Sequence, residues 1–304
     1  MNPSFVPAAQ AGDAALRPAK KMRSPTARAW LFLLPAMLFL FVLVVASLLV
    51  LRMSVGVKGE EWTAFSLASY ARLLEPYYMK SLLLTMRLAL VSSVIAVALA
   101  IPVGLAMARL KSPLMRQLFL AAVLLPLLVN LLLQSYGWLV ILGPAGLLNK
   151  LLLSLGLIER PLMLLYNQTG VLLGLVQTAF PLAVLPIASA VRAVSRSYEE
   201  AAAMLGASRL QVLRQVVLPM CMPGIMTGAT LVFAYNASSF VVPMLLGGRR
   251  VPMLAVVVHD QIAPLLNWPS ASAGGVVLIL STLAVMGLSE YFTGRRRRAL
   301  EVSQ

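Results

Sequence analysis

Charged residues are scarce in this chain. They make up only 12% of its 304 residues, whereas apolar residues make up 60% and the mean hydropathy is +0.89. Soluble domains usually contain about a quarter charged residues, and a soluble fold of this length cannot keep so much hydrocarbon away from water. The composition therefore excludes an ordinary soluble protein and predicts a membrane protein.

Cysteine and histidine are nearly absent. The single cysteine, Cys221, excludes an intrachain disulfide, and the single histidine, His259, leaves too few ligands for a Cys/His metal cluster. The sequence also contains no G-x-x-x-x-G-K-[S/T] phosphate-binding loop, and no carboxylate pair or Ser/His pair in or near its apolar segments. We therefore expect no metal site, no cofactor and no enzymatic activity, so that any ATP hydrolysis must occur in a separate protein.

Long uncharged runs dominate the sequence instead. A helix needs about 20 apolar residues to cross the roughly 30 Å hydrocarbon core of a bilayer. A β-barrel would show alternating segments of about 10 residues, and the first run is too long for the apolar part of a cleaved signal peptide. The runs predict an all-α polytopic membrane protein with six transmembrane helices, at about 29–51, 88–108, 118–142, 170–191, 220–242 and 271–289.

Positive charge is distributed unevenly around these spans. The net charge is +15, and most of the 25 Lys and Arg residues fall on one side if both termini are cytoplasmic. Because Lys and Arg concentrate in cytoplasmic loops, we expect an N-in/C-in orientation, with tails at 1–28 and 292–304 and a membrane domain at 29–291. The run Arg295–Arg298 is then expected to anchor on lipid headgroups, and no nucleic-acid partner is expected.

The longest predicted cytoplasmic connection does not have the composition of a passive loop. Ser197 and Glu200 fit a capping box, in which the serine side chain caps a backbone N–H and the glutamate reaches back to the serine. Gly206 is placed to end the short helix that this box begins. Ser208 and Gln211 fit a second capping box, which predicts a second short helix directly after the glycine.

The second short helix has a predicted apolar face. Leu210, Leu213 and Val217 fall at helical spacing, and Pro219 is expected to end the helix before the fifth span. The segment 197–219 is therefore expected to form two short helices at the membrane surface, which present a ridge to a cytoplasmic partner.

This segment resembles the EAA loop of ABC-importer permeases, whose pattern is E-A-A-x3-G-x9-I-x-L-P. The single departure is a valine where the family has isoleucine. The resemblance implies the type I ABC importer permease fold. It also implies that the segment is the coupling helix, which docks into a separate ATPase subunit. The residues that match the motif are Glu200, Ala201, Ala202, Gly206, Val216, Leu218 and Pro219.

Softer motifs resemble the spermidine/putrescine-type permeases within that family. They are Tyr70–Leu74, Gln134–Trp138 and Phe240–Pro243. Polyamine permeases often have arginine before the Tyr-Gly pair, whereas this chain has Gln-Ser there. The resemblance favours a polyamine such as spermidine or putrescine as the solute. An opine, a phosphonate, thiamine or ferric iron stays an alternative, because related permeases carry these solutes.

Polar residues inside the predicted spans mark either a solute path or hydrogen bonds between helices. Asn130 and Gln134 are expected on one face of the third span, and Asn236 and Ser239 on one face of the fifth. The Gly-x-x-x-Gly pattern at 224–228 predicts close packing of two helices. The candidate residues of a translocation pathway are Asn130, Gln134, Tyr136, Tyr235, Asn236 and Ser239.

These features predict the membrane permease subunit of an ATP-driven, binding-protein-dependent importer in the bacterial inner (plasma) membrane. The resemblance implies three protein partners besides the membrane lipids: a cytoplasmic ATP-binding subunit, a second permease subunit or a copy of this chain, and a periplasmic or extracellular solute-binding protein. A self-sufficient secondary transporter is the alternative class. It would need an ion-coupling residue in the membrane, and the predicted spans contain no acidic residue.

Overall fold

The computed structural model describes the backbone of residues 27–301 and the side chains of residues 33–291. Most of the predicted tail 1–28 and the side chains of the predicted tail 292–304, including Arg295–Arg298, lie outside the described residues. The described part is almost entirely helical and contains no β-strand, which confirms the all-α prediction. Its α-helices are α1 (Ala27–Ser54), α2 (Ala68–Leu73), α3 (Pro76–Arg109), α4 (Pro113–Leu128), α5 (Leu131–Leu142), α6 (Leu147–Ser154), α7 (Gln168–Ala193), α8 (Arg196–Met204), α9 (Arg209–Val212), α10 (Leu218–Ala237), α11 (Leu254–Ile262) and α12 (Trp268–Glu301).

The chain divides into two compact units, Met1–Leu49 and Val50–Gln304. The described part of the first unit is the stretch of α1 up to residue 49. From residue 33 onward this stretch is apolar except for Ser47, as expected of a membrane-spanning helix. The second unit contains the other helices, the loop with the EAA motif and every predicted pathway residue.

The described residues contain six helical stretches that are long and apolar enough to cross a membrane, which agrees with the predicted number. Each stretch overlaps one of the six predicted spans, whose exact ends stay a prediction. The stretches are Leu33–Ser54, Pro76–Arg109, Leu131–Ser154, Gln168–Ala193, Arg209–Ala237 and Trp268–Tyr291.

The region of the predicted third span contains a helix break. Helix α4 ends at Leu128 and α5 begins at Leu131, with Val129 in an extended conformation between them. The Oδ1 atom of Asn130 accepts a hydrogen bond from the N–H of Leu132 at 2.8 Å, so Asn130 caps α5. The expectation of an unbroken helix through this region is therefore wrong, because asparagine stabilises a helix start better than a helix interior. Asn130 and Gln134 still lie one helical turn apart, since the N–H of Gln134 donates to the carbonyl of Asn130 at 3.0 Å.

Helices α3, α7 and α10 pack along one another and form the core of the second unit. Small residues let α10 approach α7 closely. A Cβ atom on Gly224 would lie 2.4 Å from the Cβ of Ala190 and 2.7 Å from the carbonyl oxygen of Pro186. A Cβ atom on Gly228 would lie 3.2 Å from the backbone of Ala183. The close packing predicted from the Gly-x-x-x-Gly pattern is confirmed.

At one end of this three-helix core, α3 and α7 terminate and the chain returns into α10. This end carries a group of basic side chains and two acids. We call it the basic end. A cluster of buried apolar side chains, which includes Met107, Val191 and Val217, packs beneath its charged surface. Its charged residues in the described chain are Arg109, Lys111, Arg116, Arg192, Arg196, Arg209, Arg214, Glu199 and Glu200.

Candidate functional sites in a surface loop and at a helix break

The EAA loop, residues 195–219 in the structure, begins earlier than its sequence pattern predicts. Ser195 is the N-cap of α8, and its Oγ accepts a hydrogen bond from the N–H of Ser197 at 3.4 Å. The predicted capping box between Ser197 and Glu200 is therefore wrong. Because Arg196 already has helical geometry, Ser197 lies inside the first turn and the side chain of Glu200 is not needed for capping.

The turn and the second helix start follow the prediction. Gly206 has φ +85°, the left-handed conformation in which glycine ends helices. The N–H of Ser208 donates to Oε1 of Gln211 at 2.7 Å, and the N–H of Gln211 donates to Oγ of Ser208 at 3.4 Å. The capping box at the start of α9 is thereby confirmed.

The second helix of the loop does not end at Pro219. A π-helical turn, Leu213–Val217, joins α9 to α10, so one helix runs from Arg209 to Ala237. The wider π-turn just before Pro219 accommodates a residue that has no N–H and whose ring needs space in the preceding turn. The expected end of the helix at Pro219 is therefore wrong.

The π-turn also changes the apolar face of this helix. Val212 and Val217, five residues apart, are both buried, whereas Leu210 is 55% exposed. The predicted face of Leu210, Leu213 and Val217 is therefore wrong at Leu210. The reason is the i→i+5 hydrogen bond of a π-turn, here from the N–H of Leu218 to the carbonyl of Leu213, which shifts the helical register.

Helix α8 has an inward face and an outward face. Ala202 is half-buried and packs against the apolar cluster of the basic end, and the carboxylate of Glu199 forms an ion pair with Arg109 at 2.8 Å. Glu200 is exposed, and Met204 and Leu205 are each 90% exposed. The other motif residues comprise the exposed Ala201, Gly206 and Pro219 and the half-buried Val216 and Leu218.

The sequence analysis missed Glu199 because the EAA motif begins at the next residue, Glu200. A local signal was nevertheless available. Glu199 lies in the first turn of α8, where a carboxylate interacts favourably with the helix dipole, and Arg109 lies in the last turn of α3. No sequence pattern joins these two residues, which are 90 positions apart.

A cavity of about 410 Å³ lies at the helix break. Three of the predicted pathway residues line it, namely Asn130, Gln134 and Tyr235. They come from the break, from α5 and from α10, so the fold brings together residues that are up to 105 positions apart. The remaining lining residues are uncharged and comprise Pro126, Leu127, Leu128, Val129, Leu131 and Thr178.

The side chain of Gln134 connects the two sides of the helix break. Its Nε2 donates to the carbonyl oxygens of Pro126 and Val129, the latter at 2.8 Å, and thereby satisfies carbonyls that the interrupted helix leaves without donors. Its Oε1 accepts a hydrogen bond from Nε2 of Gln177 at 3.1 Å, and Oε1 of Gln177 accepts one from Nε1 of Trp138 at 3.2 Å. Gln177 in α7 was missed by the sequence reasoning, although it is a polar residue inside an uncharged run.

The other three predicted pathway residues do not line this cavity. Asn236 is fully buried, and its Nδ2 donates to Oγ of Ser92 in α3 at 2.8 Å. Within the described residues, Oδ1 of Asn236 and Oγ of the buried Ser239 have no hydrogen-bond partner. Tyr136 is 56% exposed on α5. The structure therefore divides the six residues into three that line the cavity, two that are buried outside it and one that lies on the surface.

Comparison with known proteins gives a family and a fold. Residues 100–298 match the family of binding-protein-dependent transport system inner membrane components. The chain is 33% identical to the spermidine/putrescine transport system permease protein PotB of Salmonella typhimurium (strain SL1344) over 236 residues, which is 78% of this chain and 80% of that protein. PotB of Escherichia coli (strain K12) is also 33% identical, with 84% of that protein covered.

A solved structure resembles this fold over most of its length. It is a chain of the bacterial alginate ABC transporter in complex with an alginate pentasaccharide-bound periplasmic protein. The likeness has a TM-score of 0.74 and covers 88% of this chain and 95% of that chain. The sequence identity is 16%, so this likeness concerns the fold alone.

Proposed function

Starting from the fact that the chain belongs to the family of binding-protein-dependent transport system inner membrane components, we propose that it is the subunit through which an ATP-driven importer admits a small solute. The family is an inner-membrane permease family, and six apolar helices make the chain a multi-pass inner-membrane protein. In the proposed orientation both termini face the cytoplasm, which puts the EAA loop on the side where ATP is available.

The exposed tip of α8 is the observation that carries the coupling role. Met204 and Leu205 are each 90% exposed beside the exposed Glu200. Full burial of a Met or Leu side chain contributes about 1.5–3 kcal/mol, and exposed apolar groups next to a charge are typical of protein interfaces. An ATPase subunit with an apolar cleft would bury both side chains, and a basic group at its rim would pair with Glu200.

A continuous helix supports transmission from this surface to the cavity. The helix from Arg209 to Ala237 starts in the EAA loop and carries Tyr235, which lines the cavity, near its other end. At 1.5 Å per residue it is roughly 40 Å long. When the ATPase moves the loop, this helix moves as a rigid rod, and the cavity then alternates between two openings as in other transporters.

The cavity favours a polar solute that donates hydrogen bonds. Its polar lining residues are Asn130, Gln134, Thr178 and Tyr235, and it lies at the C-terminal end of α4. The C-terminal end of a helix carries partial negative charge, and no lining residue is positively charged. This chemistry suits the ammonium groups of a polyamine, the solute named for the PotB relatives. A separate binding protein would then select the solute.

The experiment is reconstitution of the complex in proteoliposomes, with this chain and its proposed partners: an ATPase subunit, a second permease subunit and a solute-binding protein. Uptake of radiolabelled spermidine, driven by ATP, is expected for the native complex. Glu200→Lys and Gly206→Asp should reduce uptake at least tenfold while the chain still inserts in the membrane, and Glu159→Lys outside the EAA loop is the matched control. Wild-type uptake and normal ATPase co-purification in both loop variants would exclude the coupling role. Uptake of an opine, phosphonate, thiamine or ferric iron instead of spermidine would correct the solute.

A further inference from the structure

Arg109 and Glu199 join two parts of the molecule that are distant in sequence. Nη2 of Arg109, the last residue of α3, donates to Oε1 of Glu199 in the first turn of α8 at 2.8 Å. The described residues show no other side-chain hydrogen bond or ion pair between the EAA loop and a helix outside it. The remaining attachment of α8 to the core is apolar, through residues such as Ala202.

The pairing is selective. Glu199 and Glu200 are adjacent acids at an end of the bundle that is rich in Arg and Lys. Of these two acids, Glu199 alone forms an ion pair with a described residue, and its partner is Arg109 at the end of α3. The side chain of Glu199 is 26% exposed, because it lies on the inward face of α8 with Ala202, whereas Glu200 lies on the outward face. The two acids therefore have different surroundings despite their adjacency.

Stability alone does not account for this pair. The side chain of Arg109 is 46% exposed, and an ion pair so accessible to water contributes only about 0–1 kcal/mol. The pair matters more for the orientation of the helices than for stability, because a charged hydrogen bond fixes the direction of α8 relative to the end of α3. Each charge also lies at the end of its own helix where the helix dipole favours it, so both residues are stabilised as charged groups at the positions where they pair.

A second contact joins α3 to α10, further along the bundle. Asn236, near the end of α10, donates to Ser92 in the middle of α3 at 2.8 Å, and Asn236 is fully buried. The EAA loop is continuous with α10. Helix α3 is thus hydrogen-bonded to the EAA loop at its end and to α10 near its middle. Because the loop is covalently continuous with α10, these two hydrogen bonds connect α3, the loop and α10 in a closed circuit.

We propose that the Arg109–Glu199 pair is a mechanical link, through which displacement of the EAA loop moves α3 together with α10. This role rests on the proposed function. The continuous helix already carries the displacement to α10. The ion pair carries it to α3, so that both helices turn as one body and the cavity opens without breaking the buried Asn236–Ser92 hydrogen bond. Arg109 and Glu199 are positioning residues and do not touch the solute.

The test is a charge-exchange series in the reconstituted complex, with the variants Glu199→Gln, Arg109→Gln and the exchange Arg109→Glu/Glu199→Arg. Spermidine uptake and ATP hydrolysis are measured on the same proteoliposomes. Each single variant should keep the ATPase bound and hydrolysing, because Glu200 and the α8 tip are unchanged, while uptake per ATP falls about fivefold or more. The exchange should restore uptake per ATP to within about threefold of the native value. Full restoration is not expected, because the exchanged charges oppose their helix dipoles.

Arg116→Gln is the matched control, since the Arg116 side chain forms no hydrogen bond within the described residues and lies at the same end of the bundle. Native uptake per ATP in Glu199→Gln, or a loss that the exchange does not restore, would overturn the link. Such a result would leave the proposed function intact if Glu200→Lys still abolishes uptake. If the native complex takes up no spermidine, the proposed solute fails. The link is then tested by measuring how much the binding protein stimulates ATP hydrolysis. Stimulation in Glu199→Gln equal to that of the native complex would overturn the link.

Discussion

The EAA loop and the break between α4 and α5 both interrupt helices, but the backbone at the two interruptions is stabilised in different ways. In the loop, Gly206 supplies the left-handed turn and Ser208 and Gln211 cap each other three residues apart. At the break, Gln134 satisfies two carbonyls and is itself held by Gln177, which is 43 residues away on α7. The loop is a local structure that stays exposed, whereas the break depends on a neighbouring helix and lines a cavity.

The difference predicts that the two regions fail in different ways. Damage to the loop should impair transmission while the bundle stays folded, because the tip of α8 is exposed. Damage to the break should lower stability and transport together, because its half-buried Gln134 holds the interrupted helix and also lines the cavity. Four predictions test this contrast, in order of decreasing effect on the free energy of unfolding.

Gln134→Leu should have the largest effect on stability. Leucine has a similar size but leaves the carbonyl oxygens of Pro126 and Val129 without their donor, and each unsatisfied buried group costs about 1–3 kcal/mol. Thermal unfolding in detergent should show a clear decrease in Tm, and spermidine uptake should fall with it. Tyr136→Phe, which changes an exposed side chain on the same helix, should leave the Tm unchanged. An unchanged Tm in Gln134→Leu would show that the break does not depend on this side chain.

Gly206→Ala should cost about 1–2 kcal/mol, because φ is +85° there and alanine is strained in that region. A Cβ atom would meet nothing within 4 Å, so the cost comes from the backbone alone. Gly156→Ala is a matched control with φ +67° and equally open space outside the EAA loop. Both variants should unfold at similarly lowered temperatures, but only Gly206→Ala should reduce uptake per ATP. Equal uptake in the two variants would contradict a special role for the loop.

Removal of either cap should cost about 1 kcal/mol. Ser208→Ala removes the cap of α9, and Asn130→Ala removes the cap of α5. Chemical denaturation should give similar losses of stability for the two variants. Their transport defects should differ, with Asn130→Ala raising the KM for spermidine because it lines the cavity, and Ser208→Ala lowering uptake per ATP. A raised KM in Ser208→Ala alone would reverse the assignment of the two regions.

The double substitution Met204→Ala/Leu205→Ala should have the smallest effect on stability. Both side chains are 90% exposed, so the free energy of unfolding should change by less than about 0.5 kcal/mol. Affinity for the purified ATPase subunit should fall at least tenfold, because burial of each side chain contributes about 1.5–3 kcal/mol. Leu210→Ala, also in the loop and 55% exposed, is the control for a general surface effect. Native ATPase affinity in the double variant would place the docking surface elsewhere.

Local patterns predicted a large part of this protein. The family resemblance drawn from the EAA motif is confirmed by the family match and by the PotB relatives. The all-α fold, the six apolar helices, the turn at Gly206, the capping box at Ser208 and the close packing at Gly224 are also confirmed. The N-in/C-in orientation and the roles of the motif and pathway residues stay predictions.

The errors lie where several local signals compete. Ser195 and Ser197 are both good caps, and the first of them caps α8. Pro219 usually marks a helix end, but a π-turn absorbs it because packing against α3 and α7 keeps the helix continuous. Asn130 lies in an apolar run that favours one span, and its capping preference breaks the helix there. A window of residues does not reveal which of two comparable preferences the rest of the fold will support.

The amino-acid order alone determined membrane insertion, the helical fold and the EAA motif, because hydrophobic length and capping depend on residues within one or two turns of one another. Only the packed bundle decided that Glu199 and not Glu200 meets Arg109, that Gln177 supports Gln134, and that Tyr235 faces the same cavity as Asn130. Each of these contacts joins helices that the chain separates by tens of residues. Their direction depends on helix register and crossing, which the packing of α3, α7 and α10 sets.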